Sequence, residues 1–337
     1  MTFGNRGQRT RQSPTNIARR QAVLFHKKRV FAEKRRKEKR GKSSSYLFLR
    51  LYMLYAISME RCIKKLVVFA FLCTLGSFLA AQQADGTVRG DFVLNGAMLM
   101  GYRGGEEKLT IPPNLGITAI GERAFARSNV KEIVIPERVT TIMKEAFAYS
   151  KVEIIHLPRS LQNIGERAFL GCVDLPYITL PRNLWSIGDQ AFSGCTGLLR
   201  ITLPPSVDQL GNGAFVNSGL TAITLSRNIT VIEPNVFYGC ADLTAITIPA
   251  GIVEIGDSAF FRTGLINVTI PQGMLEIGIA AFAECPALSS VDLPPSVRSI
   301  GARAFAGSTM LQDIRISVDT KEGYDAFEGV IGRPAYY

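Results

Sequence analysis

The feature that most constrains this chain is a short internal repeat with a spacing of 22 or 23 residues. A phenylalanine preceded by Ala, or once by Val, recurs at this spacing, and a weaker copy follows at Phe327. The regular copies are Phe125, Phe147, Phe169, Phe192, Phe215, Phe237, Phe260, Phe282 and Phe305. Because a unit of this length cannot bury its own apolar side chains, neighbouring units must stack into one continuous core. The sequence therefore predicts a repeat solenoid.

Two further positions of the repeat keep the same register. In one copy they are Leu203-Pro204 and Leu210-Gly211. The residues before the proline alternate as in a half-buried strand, so Leu198, Ile201 and Leu203 are predicted to point inward. Proline cannot donate to a strand ladder and ends the strand. The aliphatic-Gly turn and the Ala-Phe segment then return the chain on the opposite side.

The consensus L-x-x-I-x-L-P-x-x-V-x-x-I-G-x-x-A-F-x-x-C resembles the BspA-like leucine-rich repeats, also called the Treponema pallidum type. The resemblance covers about residues 109–316. It implies a leucine-rich-repeat horseshoe or arc with a parallel β-sheet along one face. It also implies an exported or surface-exposed protein of a bacterium or parasite that binds other proteins or serves in adhesion. Gly or Pro is missing at Ile142-Met143, Ile232-Glu233 and Leu225-Ser226, so we expect less regular turns there.

The two ends of the solenoid need caps, because an uncovered end exposes the core. Before the first repeat, Asn95-Gly96 lies between two apolar runs, which is a strong hairpin signal. We therefore predict a β-hairpin N-terminal cap within residues 82–108. After the solenoid of nine to ten repeats at 109–316, residues 317–337 keep only Ala326-Phe327 of the pattern and are predicted to form a degenerate C-terminal cap.

The formal charge of +11 belongs to the N-terminal region. Residues 1–58 carry 16 Lys and Arg against 2 Asp and Glu, whereas residues 82–337 carry 20 against 25, a balance of −5. Residues 1–58 have a composition that cannot bury a core, so we predict a disordered basic leader. Since the solenoid itself is mildly acidic, nothing in its charge indicates nucleic acid as a partner.

A secretory signal peptide is predicted at residues 59–81. Met59 opens a charged segment, Leu66 to Ala81 is apolar, and small residues stand at Ala80 and Ala81. This pattern favours a translation start at Met59, so that residues 1–58 are absent from the native product. A signal anchor is the competing interpretation, although sixteen apolar residues are short for a span of about 20. Lipidation at Cys73 is disfavoured, because Ala70-Phe71-Leu72 lacks the small residues that such processing prefers.

Four cysteines outside the signal segment share one position of the repeat. Cys172, Cys195, Cys240 and Cys285 each follow the repeat phenylalanine by three residues. Ser or Thr fills this column elsewhere, which predicts small, buried, reduced side chains with modest hydrogen-bonding ability. Only Cys172 and Cys195 lie on consecutive turns, where a disulfide is geometrically conceivable. No metal-binding spacing of cysteines is present.

Catalytic chemistry has little support in this sequence. The chain holds two histidines, His26 in the leader and His156, which argues against His-based catalysis. Carboxylates such as Glu166 recur with the repeat and are predicted to be turn residues. The glycines follow the repeat and form no phosphate loop between a strand and a helix. We predict no enzyme activity, no cofactor, no metal, and no catalytic or cofactor-binding residue.

Two outward columns of the predicted strand face are the functional candidate. Threonines dominate one column and fit strands for structural reasons alone. The more informative positions combine exposed apolar area with residue types enriched at binding hot spots. We call them the candidate patch, and they are Ile154, His156, Tyr177, Leu199 and Arg200.

The leading functional hypothesis is an exported, non-catalytic module that binds a protein partner, from the host or the cell envelope, on the strand-lined face. The membrane is involved only through the signal segment during export, and the mature protein is expected in the periplasm, on the cell surface or in the medium. The rival hypothesis is a structural envelope protein that acts through self-association of the solenoid, with the strand face incidental.

The signal pattern generates a direct test of the start site. We expect the native protein to begin close to Gln82, because cleavage follows the small residues at Ala80 and Ala81. Intact-mass measurement of the protein isolated from its own cells gives the answer. A native species that still contains Arg35 or Lys37 would contradict both the start site and the cleavage.

Overall fold

The computed structural model describes residues 87–337, which form a parallel-strand β-solenoid of about 11 turns. This confirms the predicted fold class. The predicted basic leader at 1–58, the signal peptide at 59–81, Cys62 and Cys73 lie outside the described residues. Within 87–337, no helix has the length and apolar character needed to cross a membrane. One 3₁₀ turn is present, at Pro113–Leu115.

The N-terminal cap is the predicted hairpin with one additional strand. Its strands are β1 (Thr87–Arg89), β2 (Phe92–Asn95) and β3 (Met98–Tyr102), and each pairs antiparallel with the next. The β2–β3 turn contains Gly96, whose φ of +57° lies in the left-handed region that glycine tolerates. The first strand was not predicted. The sequence before it has no recognisable pattern, and its turn at Gly90 lacks a two-residue hairpin signal such as Asn-Gly.

The first strand face is formed by the strands that the repeat predicts, together with one strand in the residues predicted as the C-terminal cap. They are β4 (Lys108–Thr110), β6 (Glu132–Val134), β8 (Ile154–His156), β11 (Arg200–Thr202), β13 (Ala222–Thr224), β16 (Asn267–Thr269), β18 (Ser290–Asp292), β20 (Asp313–Ile316) and β22 (Ala335–Tyr336). Within each of the three unbroken stretches of this face, neighbouring strands pair parallel with equivalent repeat positions side by side, as Ile201 does with Ile223. The central residue of each predicted strand is buried, which confirms the inward positions.

A second strand face runs along the solenoid where only turns were predicted. Its strands are β5 (Ala119–Ile120), β7 (Thr141–Ile142), β9 (Asn163–Ile164), β10 (Ser186–Ile187), β12 (Gln209–Leu210), β14 (Val231–Ile232), β15 (Glu254–Ile255), β17 (Glu276–Ile277), β19 (Ser299–Ile300) and β21 (Lys321–Glu322). Each has two residues and pairs parallel with its neighbour, and β3 pairs with β5. Two-residue strands show no alternation over several residues, so the sequence pattern did not separate them from turns.

The third side is the turn side, made of the Gly-x-x-Ala-Phe segments. Their backbones also bond from one turn to the next, as when Gln190 donates to the Asn212 carbonyl at 2.9 Å and Phe192 donates to the Ala214 carbonyl at 2.8 Å. Gln190 has a φ of +54°. At Gly188 a Cβ would lie 2.7 Å from the Glu166 nitrogen, so the close stacking of these turns requires glycine there.

Of the three places where less regular turns were predicted, two coincide with breaks in the strand faces and one does not. The second strand face breaks between β12 and β14, in the repeat that carries Ile232-Glu233. The first face breaks after β13, which is followed by Leu225-Ser226, and residues 245–247 form no strand. The expectation for Ile142-Met143 was wrong. β7 pairs with β5 and β9 on its two sides, so this turn accommodates Met143 without loss of strand pairing.

The core contains a continuous stack of phenylalanine rings. From Phe125 to Phe327, successive ring centroids are 5.0–5.8 Å apart and the planes differ by 3–17°. The rings from Phe125 to Phe305 are almost completely buried. Phe327 extends the stack, and with β21 and β22 the residues after 316 add one more turn of the solenoid.

The cysteine column lies inside the solenoid, as predicted. The four thiols are free and buried, and each donates a hydrogen bond to the carbonyl of a repeat phenylalanine on the preceding turn at 3.0–3.1 Å. Ser308 makes the same bond to Phe282 at 2.8 Å. At these five positions the column supplies a small donor, a role that both Cys and Ser can fill. Burial raises the pKa of the Cys172 and Cys240 thiols to about 11 and also raises the pKa of Cys195 and Cys285.

Burial and raised pKa values predict slow reaction of these thiols in the folded protein. The thiolate is the reactive form, and a raised pKa leaves little of it at pH 8. We expect slow labelling of Cys172, Cys195, Cys240 and Cys285 in native buffer and rapid labelling after unfolding. Mass spectrometry of labelled peptides measures both rates. A disulfide between Cys172 and Cys195 in the peptide map would contradict the expectation.

The hydrogen bond from the column predicts a difference between two substitutions. Cys195→Ser keeps a donor for the Phe169 carbonyl and should leave the free energy of unfolding nearly unchanged. Cys195→Ala removes the donor and should lower the free energy of unfolding by about 1 kcal/mol or more. Denaturant titration compares the two variants with the parent. Equal stability of the Ala and Ser variants would show that the hydrogen bond contributes nothing measurable.

Candidate functional site

The outer surface of the first strand face carries the two predicted columns. None of their side chains is buried, which confirms that these positions point outward. The first column is Thr110, Val134, His156, Thr179, Thr202, Thr224, Thr247, Thr269, Asp292 and Arg315. The second column is Glu132, Ile154, Tyr177, Arg200, Ala222, Ala245, Asn267, Ser290 and Asp313. Most of this surface is therefore built of small or short side chains.

The structure places the candidate patch on three successive turns of this face. Ile154 and His156 lie on β8, and Tyr177 on the next turn forms a single parallel bridge with Arg200 at the start of β11. Tyr177 is 57% exposed and Leu199, beside Arg200, is 50% exposed. Large apolar surface and a guanidinium thus lie next to each other and open to solvent.

A proline explains why the strand ladder is interrupted at the patch. At the equivalent position of the two preceding turns, the Lys131 backbone N–H donates to the Glu107 carbonyl and the Glu153 backbone N–H donates to the Lys131 carbonyl, each at 2.7 Å. Pro176 has no N–H to donate to the Glu153 carbonyl, so no strand forms on its turn. The ladder resumes when Leu199 donates to the Pro176 carbonyl at 3.1 Å. The bulky residues of the patch therefore lie at a local break in the sheet.

One end of the patch lies beside an ion pair and the other does not. The His156 Nε2 lies 3.6 Å from the Glu132 carboxylate, which also accepts from the Lys108 ammonium at 2.9 Å. The Lys108 ammonium lowers the pKa of Glu132. Within the residues that the structure describes, the Arg200 guanidinium makes no ion pair. Arg200 is therefore available to a carboxylate or carbonyl oxygen from a partner.

A third exposed column on this face was missed in the sequence. It is the position before each strand, occupied by Glu107, Lys131, Glu153, Pro176, Leu199, Thr221, Thr244, Ile266, Ser289 and Gln312. Each of these residues is followed directly by a residue of the second column, so two consecutive side chains point outward and the period-2 pattern is broken. Alternation alone cannot identify it, but the exposed apolar residues Leu199 and Ile266 at equivalent positions are a usable signal.

Metal binding and thiolate chemistry have little support in the described residues. In the stretch 87–337, no group of three or more His, Cys, Asp and Glu side chains is placed to hold a metal ion. The buried thiols have raised pKa values, which disfavours the nucleophilic thiolate. The turn carboxylates serve the fold. Asp257 accepts the Ile279 N–H at 2.7 Å, and Asp189 accepts the Asn212 N–H at 2.9 Å. They were predicted as solvated turn residues, and in addition they bond to the next turn.

A groove of about 580 Å³ lies on the turn side and not on the strand face that carries the candidate patch. Its floor is made of small residues such as Ala283 and Ala306, beside Phe261. Its charged groups are already paired, since Glu284 accepts from Arg262 at 2.5 Å and Glu328 lies 3.9 Å from Arg303. The groove therefore presents no free charged group that would select a ligand.

Comparison with protein families gives one clear match. The model of the BspA type leucine rich repeat region matches in six copies, over residues 118–244 and 209–331. These two stretches span most of the described solenoid and agree with the repeat register. No curated protein sequence gives a significant match.

Several solved structures resemble the chain. The pneumococcal vaccine antigen PcpA is 25% identical with a TM-score of 0.52, and the match covers 66% of this chain and 60% of that one. The Treponema pallidum leucine-rich repeat protein is 24% identical with a TM-score of 0.42, over 68% of this chain and 90% of that one. A Bacteroides ovatus leucine-rich repeat protein is 25% identical with a TM-score of 0.43, over 74% and 97%. The chain thus matches 60% of the length of the pneumococcal antigen.

Proposed function

Because the chain belongs to the family of BspA-type leucine-rich repeat proteins, we propose that it is an exported, non-catalytic module that binds a protein partner on the first strand face. Membership of this family of bacterial repeat proteins is consistent with a protein-binding role. Adhesion to a host or envelope protein is the form of that role that we favour. The observation that carries the proposal is the exposure of Tyr177, Leu199 and Arg200 on one rigid surface.

The chemistry of the patch supports protein binding over other roles. Tyrosine and arginine are enriched among residues that dominate binding energies, and they act best beside apolar surface that excludes water. Here the Tyr177 ring and the Leu199 side chain flank a guanidinium without an ion-pair partner in the described part of the chain. A partner that offers a carboxylate next to an apolar side chain would satisfy all three groups.

The scaffold beneath the patch favours a preformed site. Leu198, Ile201 and Leu175 are buried directly under it, and the Phe192 ring is stacked between two neighbours. A site held by a packed core loses little conformational freedom when a partner binds, so more of the contact energy appears as affinity. The threonine and alanine columns beyond the patch supply a flat surface on which a partner can lie.

Export belongs to the same proposal. It depends on the predicted signal peptide at residues 59–81 and the Met59 start, which lie outside the described residues. The similar pneumococcal protein is a vaccine antigen, which supports an accessible location for this chain as well. We place the mature protein in the periplasm, on the cell surface or in the medium.

The double substitution Tyr177→Ala and Arg200→Ala tests the site. Both side chains are exposed, so the variant should fold with an unchanged melting temperature. Binding should weaken by about 2 kcal/mol or more, a loss in affinity of roughly thirtyfold, as is typical for hot-spot residues. Partners are first captured from host or envelope extracts with the purified protein, and affinities are then measured by titration at matched salt.

The matched control is Thr247→Ala with Thr269→Ala, at outward positions farther along the same face. This control should bind as tightly as the parent. If the Tyr177/Arg200 variant binds as tightly as the parent, the patch is not the contact surface. If the control loses as much affinity as the test variant, the contact extends over the face and the patch has no special role.

A further inference from the structure

A row of exposed arginines lies where the first strand face turns into the second. Its members are Arg138, Arg159, Arg182 and Arg227, which we call the basic row. Arg159, Arg182 and Arg227 occupy the third position after the repeat strand or its equivalent, at spacings of 23 and 45 residues, and Arg138 is one residue later in its own turn. Within residues 87–337, none of these four guanidiniums makes an ion pair. The row therefore concentrates unneutralised positive charge on one edge.

Unpaired carboxylates follow on later turns of the same side. Glu233, Glu254 and Glu276, the acidic stripe, are exposed on or next to the second strand face. Glu254 and Glu276 lie directly opposite each other in the parallel ladder, where like charges repel. Partial burial, and the neighbouring carboxylates Glu276 and Asp257, raise the pKa of Glu254; burial and Glu254 raise that of Glu233. In the described part of the chain, no Lys or Arg pairs with the stripe.

Several exposed charges elsewhere on the solenoid pair with an opposite charge on an adjacent turn. Lys144 pairs with Glu166 at 3.0 Å, Lys131 with Glu107 at 2.9 Å, and Arg123 with Glu145 at 2.6 Å. In the described residues, the side chains of the basic row and the acidic stripe lack such pairs. The Glu137 carboxylate, next to Arg138 in the chain, accepts the Arg159 backbone N–H at 2.9 Å and pairs with none of the four guanidiniums.

The charge separation extends along the whole solenoid. Residues 108–227 carry 12 Lys and Arg against 9 Asp and Glu, a balance of +3, whereas residues 228–337 carry 6 against 12, a balance of −6. The molecule therefore has a basic first half and an acidic second half. Two copies with antiparallel solenoid axes would place each basic half beside the acidic half of the other.

We propose that the chain self-associates side by side in this antiparallel arrangement, with the basic row of each copy facing the acidic stripe of the other. A two-fold axis between the copies makes the contact isologous, so that the same charge pairing forms twice. This surface differs from the first strand face, and the proposal does not depend on the function proposed for that face. A second copy fits because Arg138, Arg159 and Arg182 lie on successive turns, as Glu233, Glu254 and Glu276 do, so that both groups repeat at about 4.8 Å per turn.

Charge reversal tests the proposal through a mixing experiment. One variant carries Arg159→Glu and Arg182→Glu, and the other carries Glu254→Lys and Glu276→Lys. Sedimentation velocity over the micromolar range should show dimers of the parent that weaken by about tenfold or more at high salt, since such contacts are screened. Each variant alone should sediment as a monomer. Their equimolar mixture should restore the dimer, because each reversed group then meets a reversed partner and each unreversed group an unreversed one.

A matched control separates this contact from the effect of net charge. Arg103→Glu with Arg333→Glu changes the net charge by the same amount as the basic-row variant but lies away from the row, and it should leave the dimer intact. A monomeric parent at low salt would overturn the proposal. The same holds if the parent stays monomeric and its basic row binds an added anionic polymer. Variants that dimerise alone or a mixture that stays monomeric would also overturn it. A misfolded variant cannot produce the restored dimer, so recovery on mixing excludes that explanation.

Discussion

The stacking of one backbone turn on the next at about 4.8 Å is the constraint on which the rest of this structure depends. Every position of the repeat lies against its own equivalent above and below, so a residue type is tolerated only if it can pack against itself. The phenylalanine rings meet this condition at centroid separations of 5.0–5.8 Å with nearly parallel planes. Offset parallel rings are a favourable aromatic geometry, and the stack supplies most of the large buried side chains.

The same constraint governs the polar atoms inside the solenoid. Most carbonyls of the repeat phenylalanines accept an N–H from their own turn, as Phe169 does from Cys172. Five of these carbonyls accept a side-chain hydrogen bond from the next turn, as Phe169 does from Cys195. A buried column of small hydrogen-bonding side chains accepts Cys, Ser or Thr. This accounts for free thiols in a chain that we expect to be exported, because the thiol serves as a hydrogen-bond donor and needs no disulfide.

Much of the fold could be predicted because a self-stacking core repeats its signal. The sequence pattern predicted the inward positions of the strands, the phenylalanine core, the hairpin at Asn95-Gly96 and the buried cysteine column. The two-residue strands of the second face were not predicted, since such strands carry no alternation. The break at Pro176 depends on which backbone donor the neighbouring turn needs, and the third exposed column depends on where each strand begins. Of the candidate site, the outward direction of Tyr177 and Arg200 was predictable, but their neighbours on adjacent turns required the structure.

The outer columns are free of the self-packing condition, and their chemistry is decided by nearest neighbours along the solenoid. A lysine above a glutamate is neutralised within the molecule, as Lys144 is by Glu166, and offers little to a partner. A run of one charge sign, or a bulky apolar residue among threonines, has no such internal partner and can be satisfied only from outside. Function in this solenoid should therefore be sought where an outer column departs from its own repeat: at Tyr177, Leu199 and Arg200 on one face, and at the arginines and glutamates that run unpaired along the edge.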